Sequence, residues 1–219
     1  MTNATIDTAL TPKGAEEARS LGGRWARSAA YVFDEDGETK SKAPFQLHEI
    51  DMIVVSPLRR TLETLNNIFI RRLERSYHNL SPSTLILALD SIKEWSQGKH
   101  TPNRRQPKSR LKSSYTQVAF DEMNEEDTLW HRHWPNTTDG LEPEWHLERR
   151  TNEFKQWLCA RNERNVVVIS HGTFLGKLVM NNFIEEKEME HCQLYEYKLQ
   201  CGEIFSPAHP LLSESDQEL

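Results

Sequence analysis

Three short runs of aliphatic and β-branched residues recur along the chain, at 50–55, 84–89 and 165–170. Each run has the length of a strand that is buried on both faces. Segments with apolar residues at helical spacing lie between and around the runs, at 12–25, 58–69, 147–158 and 174–183. Strands that alternate with helices predict an α/β fold, with a mostly parallel sheet and helices on both of its faces.

Polar and turn-forming segments set the predicted domain limits. Residues 1–205 are predicted to form one domain, in which about 96–143 lacks clear periodicity and is expected to be a functional cap. Residues 194–199 alternate and predict an edge strand, and 206–219 predict a flexible acidic tail. Gly22-Gly23 is expected to end the first helix early.

Composition excludes several classes of protein. The chain has 219 residues, no apolar run long enough for a transmembrane helix, and no secretion signal at its first residues. Its three cysteines do not make a disulfide framework, and Cys192 and Cys201 are expected to be buried thiols. We therefore expect a cytoplasmic protein, with a nuclear location left open, and no membrane partner. The net charge of −6 argues against a nucleic-acid partner.

The charge is unevenly distributed. Residues 99–112 contain six Lys or Arg and no acid, which leaves −12 for the rest of the chain. A solvated loop and an anion-binding loop are both consistent with such a run. The second interpretation makes Lys99, Arg104 and Arg105 candidates for substrate binding.

Polar side chains at the ends of the predicted strands are the candidates for chemistry. His171 and Gly172 follow the third strand and precede a helix, whose N-terminus favours an anion. Arg60 begins the helix after the first strand, and arginine is suited to bidentate phosphate binding. Glu94 follows the second strand. Because parallel strands end at the same edge of a sheet, these side chains are expected to converge there.

The order of these motifs resembles the histidine phosphatase superfamily, also called the phosphoglycerate mutase-like family. The resemblance is carried by Glu94 and by three segments, Asp7-Thr8-Ala9-Leu10-Thr11-Pro12-Lys13-Gly14, Ser56-Pro57-Leu58-Arg59-Arg60-Thr61-x-Glu63-Thr64 and Val168-Ile169-Ser170-His171-Gly172. It implies a three-layer α/β/α sandwich and phosphoryl chemistry on a histidine. It also implies that Arg60 grips the phosphate, that His171 is the second active-site histidine, and that Glu94 donates a proton to the leaving oxygen.

One family motif has no counterpart here. The family's nucleophilic histidine lies in an R-H-G motif at the end of its first strand, and no R-H-G occurs in the 219 residues. We therefore expect the first strand to be missing or replaced, with residues 1–9 as the candidate replacement. A truncated chain is expected rather than a pseudo-enzyme, because removal of an interior strand opens the core.

Two functions follow from the resemblance. The first is phosphomonoester hydrolysis through a phosphohistidine in the full-length form, with a phosphorylated small molecule or phosphoprotein as substrate. The phosphomutase reaction of the same family is left open, and hydrolysis is preferred because the long, open, polar cap is not suited to retaining a bisphosphorylated intermediate. The second is a non-catalytic module that binds phosphorylated ligands or a protein partner. No cofactor and no metal are expected, and His131, His133 and His146 are interpreted as surface residues.

Overall fold

The computed structural model describes residues 6–28, 46–70, 80–95, 101–130, 134, 137, 141–180, 191–199, 201 and 209–210. Its central sheet contains three parallel strands, β1 (Met52–Val55), β2 (Leu85–Ala88) and β3 (Val166–Ile169). They lie in the order β2-β1-β3, and Met52 pairs with both Leu85 and Val166. The three predicted strands are thus confirmed, and all of them run in the same direction.

Strand β1 forms the middle of the core because both of its faces are covered. All four of its residues are buried. Successive side chains of a strand point to opposite faces. Ile53 and Val55 join one apolar cluster, whereas Met52 and Val54 join the other. A continuous apolar run is what such a doubly covered strand requires.

Helices cover both faces of the sheet. On the side of Ile53 pack α1 (Pro12–Ser28) and α2 (Arg59–Leu65), which continues as a wider helical turn, Asn66–Ile70. A short helix, α3 (Lys108–Ser114), adds Leu111 to the same side. On the other side pack α4 (Glu144–Cys159) and α5 (Gly172–Met180). The expected three-layer α/β/α arrangement is therefore confirmed. Short 3-10 turns occur at Leu47–Glu49, Asp90–Ile92 and Thr101–Asn103.

The first helix does not end at Gly22-Gly23, so that expectation was wrong. Gly22 lies against the backbone of Ile68, and a Cβ at Gly22 would be 2.6 Å from the Ile68 carbonyl oxygen. The glycine is therefore explained by the close approach of α1 to the helical turn after α2, and α1 continues to Ser28.

The C-terminal part differs from the prediction. Strand β4 (Tyr195–Glu196) pairs antiparallel with β5 (His209–Pro210) in a separate two-stranded sheet, so 194–199 is not an edge strand of the main sheet. Strand β5 lies within the expected tail, whose other residues are outside the described part of the chain.

The cysteines also differ from the prediction. Cys159, at the end of α4, forms a disulfide with Cys201, so Cys201 is not a thiol in this structure. The two residues are far apart in sequence and meet only through the tertiary fold. Cys192 is a free thiol, and burial raises its pKa to about 11.

Two further expectations concern the candidate replacement for the missing strand and the absence of a membrane-spanning helix. Of the candidate replacement strand, residues 6–9 are described, and they form no strand there. The carboxylate of Asp7 instead accepts the backbone N–H of Arg59 at 2.6 Å, at the start of α2. None of the helices that the structure describes is both long enough and apolar enough to cross a bilayer.

Candidate active site

His171 lies where β3 ends and α5 begins. Its Nε2 atom is 2.8 Å from the Oγ atom of Ser56, the residue that follows β1, and both side chains are buried. The backbone N–H of Ser56 donates to the carbonyl of Ile169, which continues the pairing of β1 with β3. The sheet register therefore brings His171 and Ser56 together although they are distant in sequence.

The surroundings of His171 disfavour its protonation. Burial lowers the pKa of His171 well below its usual value, because the charged form loses its hydration. The positive charges of Arg60, Arg150 and Lys93 act in the same direction. The imidazole is therefore neutral at physiological pH in the unliganded protein. An anion beside it would offset these charges and favour the proton.

Glu94 follows β2 and the turn Asp90–Ile92 at the same edge of the sheet. Its Oε1 atom accepts the backbone N–H of Trp95 at 2.8 Å. Burial raises the pKa of Glu94, and hydrogen bonds from Trp95 and Thr173, together with the charge of Arg60, only partly oppose this effect. The carboxyl group thus holds its proton to a higher pH than an exposed glutamate, as a proton donor must.

Arg60 lies in the first turn of α2 and is half-buried. Its guanidinium donates to the carbonyl of Pro102 at 3.2 Å and to Oδ1 of Asn103 at 3.0 Å. The cap therefore contacts Arg60 directly. The charge of Arg60 acts on the pKa of both Glu94 and His171. The structure thus brings these three side chains to one edge of the sheet, where the three strands end.

Gly172 begins α5 next to open space. A Cβ placed at Gly172 would meet no heavy atom within 4 Å, so no packing contact explains the glycine. The first N–H groups of a helix and its dipole favour a negative charge at such a position. The space beside Gly172 is thus suited to an anion.

Sequence reasoning missed Arg150, a buried cation on α4. Its guanidinium donates to the carbonyls of Ser91, Lys93 and Glu94 at 2.8, 2.7 and 3.3 Å. It also forms an ion pair with the buried carboxylate of Glu142. Arg150 therefore holds the segment that presents Glu94. The available signal was a charged residue three positions after Leu147, within the apolar stripe of a predicted helix.

Lys99, Arg104 and Arg105 of the basic run were predicted to bind substrate, and the structure does not give all of them that position. Lys99 lies outside the described residues. Arg104 stacks over the ring of Trp130, with 5.1 Å between its guanidinium carbon and the ring centroid. Arg105 was expected at the substrate, but it is buried, pairs with Asp90 and donates to the carbonyls of Asn124, Glu125, Glu126 and Gln106. Because these partners occupy its guanidinium, Arg105 has a structural role in fixing the cap.

No metal centre is visible in the described part of the chain. No cluster of three or more His, Cys, Asp or Glu side chains suited to a metal occurs among its residues. His146 was interpreted as a surface residue, but it is buried, and its Nδ1 atom lies 2.6 Å from Glu142 Oε1. His131 and His133 lie outside the described residues.

Comparison with known sequences gives one relevant relative. In an alignment 152 residues long that covers 61% of this chain, the sequence is 24% identical to a phosphoglycerate mutase-like protein of Arabidopsis thaliana. This chain is similar to the phosphoglycerate mutase-like proteins. The resemblance predicted from the motifs is thereby confirmed. The alignment covers 54% of that relative, so the chain spans about half the length of the curated relative that it matches. No family model matches the chain.

Two solved structures are also similar. One is the product of an open reading frame of Mycobacterium tuberculosis, at 17% identity, with a TM-score of 0.41, over 81% of this chain and 68% of that one. The other is the ecdysone phosphate phosphatase of Bombyx mori in complex with tungstate, at 15% identity, with a TM-score of 0.44, over 92% of this chain and 66% of that one.

Proposed function

We propose that the chain carries the proton-donating and anion-binding part of a phosphomonoester hydrolase site of the histidine phosphatase type. The observation that supports this most directly is the meeting of Arg60, Glu94 and His171 at one edge of the sheet. There the charge of Arg60 acts both on the carboxyl group of Glu94, whose pKa is raised, and on the neutral imidazole of His171. Paired groups with opposite pKa displacements are typical of acid–base sites.

Each group has a role in hydrolysis of a phosphomonoester. A histidine nitrogen attacks phosphorus opposite the leaving oxygen, the P–O bond breaks, and the proton of Glu94 passes to that oxygen. Arg60 and His171 stabilise the negative charge on the other phosphate oxygens. Water then attacks the phosphohistidine and releases inorganic phosphate. Glu94, which is left as a carboxylate, accepts the proton of that water.

The nucleophilic histidine is the part that this sequence does not supply. No R-H-G occurs in it, and His171 matches the other histidine of the family. We therefore propose that the 219-residue chain is inactive as it stands and that activity belongs to a form with that motif. The proposed substrate is a phosphorylated small molecule or phosphoprotein, in the cytoplasm, where the Cys159–Cys201 disulfide would be reduced.

The second candidate function is a module that binds phosphorylated ligands without turning them over. The absence of R-H-G favours it, since Arg60 and the N-terminus of α5 are suited to an anion without a nucleophile. Both functions predict anion binding at the same place. They differ only in whether addition of an R-H-G strand produces turnover.

Sulfate binding tests what the two candidates share. Sulfate keeps a constant charge between about pH 5 and 8, so any pH dependence of its affinity comes from the protein. We expect calorimetry to show tighter binding as the pH falls, because His171 and Glu94 can then take up protons. Arg60→Gln should weaken binding, whereas Glu153→Gln, on the exposed surface of α4, should not. Equal affinities for wild type and Arg60→Gln would refute the site.

Turnover of an aryl phosphate separates the candidates. The 219-residue chain and a chain extended by an R-H-G strand are assayed side by side. Turnover by the extended chain alone, lost in its Glu94→Gln variant, supports the hydrolase. Sulfate binding by both chains without turnover by either supports the binding module.

A further inference from the structure

Ser56 contacts the imidazole of His171, and its own position is tightly fixed. The residue follows β1 and is fully buried. Its backbone N–H donates to the carbonyl of Ile169 at 2.9 Å, and its carbonyl oxygen lies 2.8 Å from the hydroxyl of Thr61 on α2. Because strand pairing and α2 hold this stretch of backbone, the Ser56 hydroxyl has a defined place beside the imidazole.

The hydroxyl proton of Ser56 has one acceptor within the described part of the chain. The Oγ atom lies 2.8 Å from Nε2 of His171, and it also accepts the backbone N–H of Leu58 at 3.5 Å. If Nε2 carried the imidazole proton, Oγ would accept from both N–H groups, and its own proton would have no acceptor among those residues. A buried donor without an acceptor is costly. The hydroxyl of Ser56 therefore donates to Nε2.

This hydrogen bond decides which nitrogen of the imidazole carries the proton. A neutral imidazole has one N–H group and one acceptor nitrogen, and the hydrogen bond made by one nitrogen fixes the state of the other. Burial and the charges of Arg60, Arg150 and Lys93 lower the pKa of His171, so the ring is neutral at physiological pH. Since Nε2 accepts from Ser56, the proton of the neutral ring lies on Nδ1.

The resulting Nδ1–H group is a donor suited to an anion. Within the part of the chain that the structure describes, Ser56 is the hydrogen-bond partner of the imidazole, and it uses Nε2. His171 directly precedes Gly172, the first residue of α5, where a Cβ would meet no heavy atom within 4 Å. An oxyanion at the N-terminus of α5 therefore has a neutral imidazole donor next to the first N–H groups of the helix.

We propose that Ser56 is a positioning residue that donates to Nε2 of His171 and thereby presents the Nδ1–H of that histidine to a bound oxyanion. The inference rests on the proposed function, because that function makes His171 a ligand of the phosphate. It adds that His171 donates to the anion already in its neutral form. Ser56 is fully buried and acts only through His171.

Nuclear magnetic resonance of the full chain, with isotope-labelled histidine, reads the tautomer directly. The ring signals of His171 are those that disappear in His171→Gln. For wild type at neutral pH we expect a protonated Nδ1 and an unprotonated Nε2. Ser56→Ala should lose this preference, whereas Ser56→Thr, which keeps the hydroxyl, should retain it. Ser170→Ala is the matched control, since the Ser170 hydroxyl donates to the carbonyl of Ile92 at 2.6 Å and not to the imidazole.

Titration with sulfate tests the presentation of Nδ1–H to an anion. Sulfate should shift the Nδ1–H signal of His171 in the wild type. Ser56→Ala should bind sulfate about fivefold more weakly, because part of its imidazole population then lacks the Nδ1 donor. Ser170→Ala should bind sulfate as the wild type does.

The outcomes separate this inference from the proposed function. A wild-type imidazole with its proton on Nε2, or an Nδ1–H form that Ser56→Ala leaves unchanged, would overturn the inference without any ligand or turnover. Sulfate binding that Arg60→Gln abolishes, but that leaves the Nδ1–H signal in place, would overturn the role of Nδ1 while the proposed site stands. If the wild type binds no sulfate, the proposed function is refuted and the presentation to an anion with it. The wild-type spectrum decides the tautomer even if Ser56→Ala does not fold.

Discussion

Replacement of Arg150 by methionine should destabilise the protein more than any change at the neighbouring arginine. The side chains of Arg150 and Glu142 are only 5% and 2% exposed. Removal of one partner of a buried ion pair leaves the other charge uncompensated and costs about 3–5 kcal/mol. Methionine keeps most of the side-chain volume beside Phe174, so the loss reports hydrogen bonds and charge rather than a cavity.

Arg149→Met is the matched control on the same helix. Arg149 pairs with Glu153 at 3.7 Å, and the two side chains are 57% and 62% exposed, so its loss should cost less than about 1 kcal/mol. The measurement is urea unfolding of both variants, followed by circular dichroism. In a double-mutant cycle, Glu142→Gln should recover part of the loss caused by Arg150→Met. A difference of less than about 1 kcal/mol between the two arginine variants would refute the structural role of Arg150.

Four other expectations are open to direct measurement. The 219-residue chain should form no acid-labile phosphoenzyme with a phosphomonoester; labelling that His171→Ala abolishes would show that His171 is the nucleophile. Reduction of Cys159–Cys201, with a sequence separation of 42, should lower the free energy of unfolding by up to about 4 kcal/mol, and Cys201→Ser should remove that sensitivity to reductant. Gly22→Ala should destabilise the protein by about 1–3 kcal/mol, because its Cβ would overlap backbone atoms, whereas Gly172→Ala should unfold as wild type does but bind sulfate less tightly. Below about pH 6.5 His171 binds a proton in the unfolded state but not in the folded state. The free energy of unfolding should therefore decrease as the pH is lowered, and it should decrease less steeply in His171→Gln.

The layers of the fold follow from the local pattern of apolar and polar residues. The run Met52–Val55 has no polar position on either face, so its side chains avoid water only in a strand that is covered on both sides. Helical spacing around the apolar runs then placed α2 and α5 directly after β1 and β3. For the same reason Arg60 and His171 could be assigned to one edge of the sheet, since parallel strands end together.

Which charged side chains face inward depends on the packing of segments that are distant in sequence. Arg104 and Arg105 are adjacent in one basic run, yet Arg105 is buried against Asp90 and the carbonyls of the cap, whereas Arg104 stacks on Trp130. Nothing local distinguishes them, because all but one of the groups that accept from the Arg105 guanidinium lie 15 to 21 positions away in sequence. The pairing of Cys159 with Cys201 is decided in the same way. The spacing of apolar residues predicts helices and strands, but the partner of a buried charge or thiol depends on the packing of distant segments.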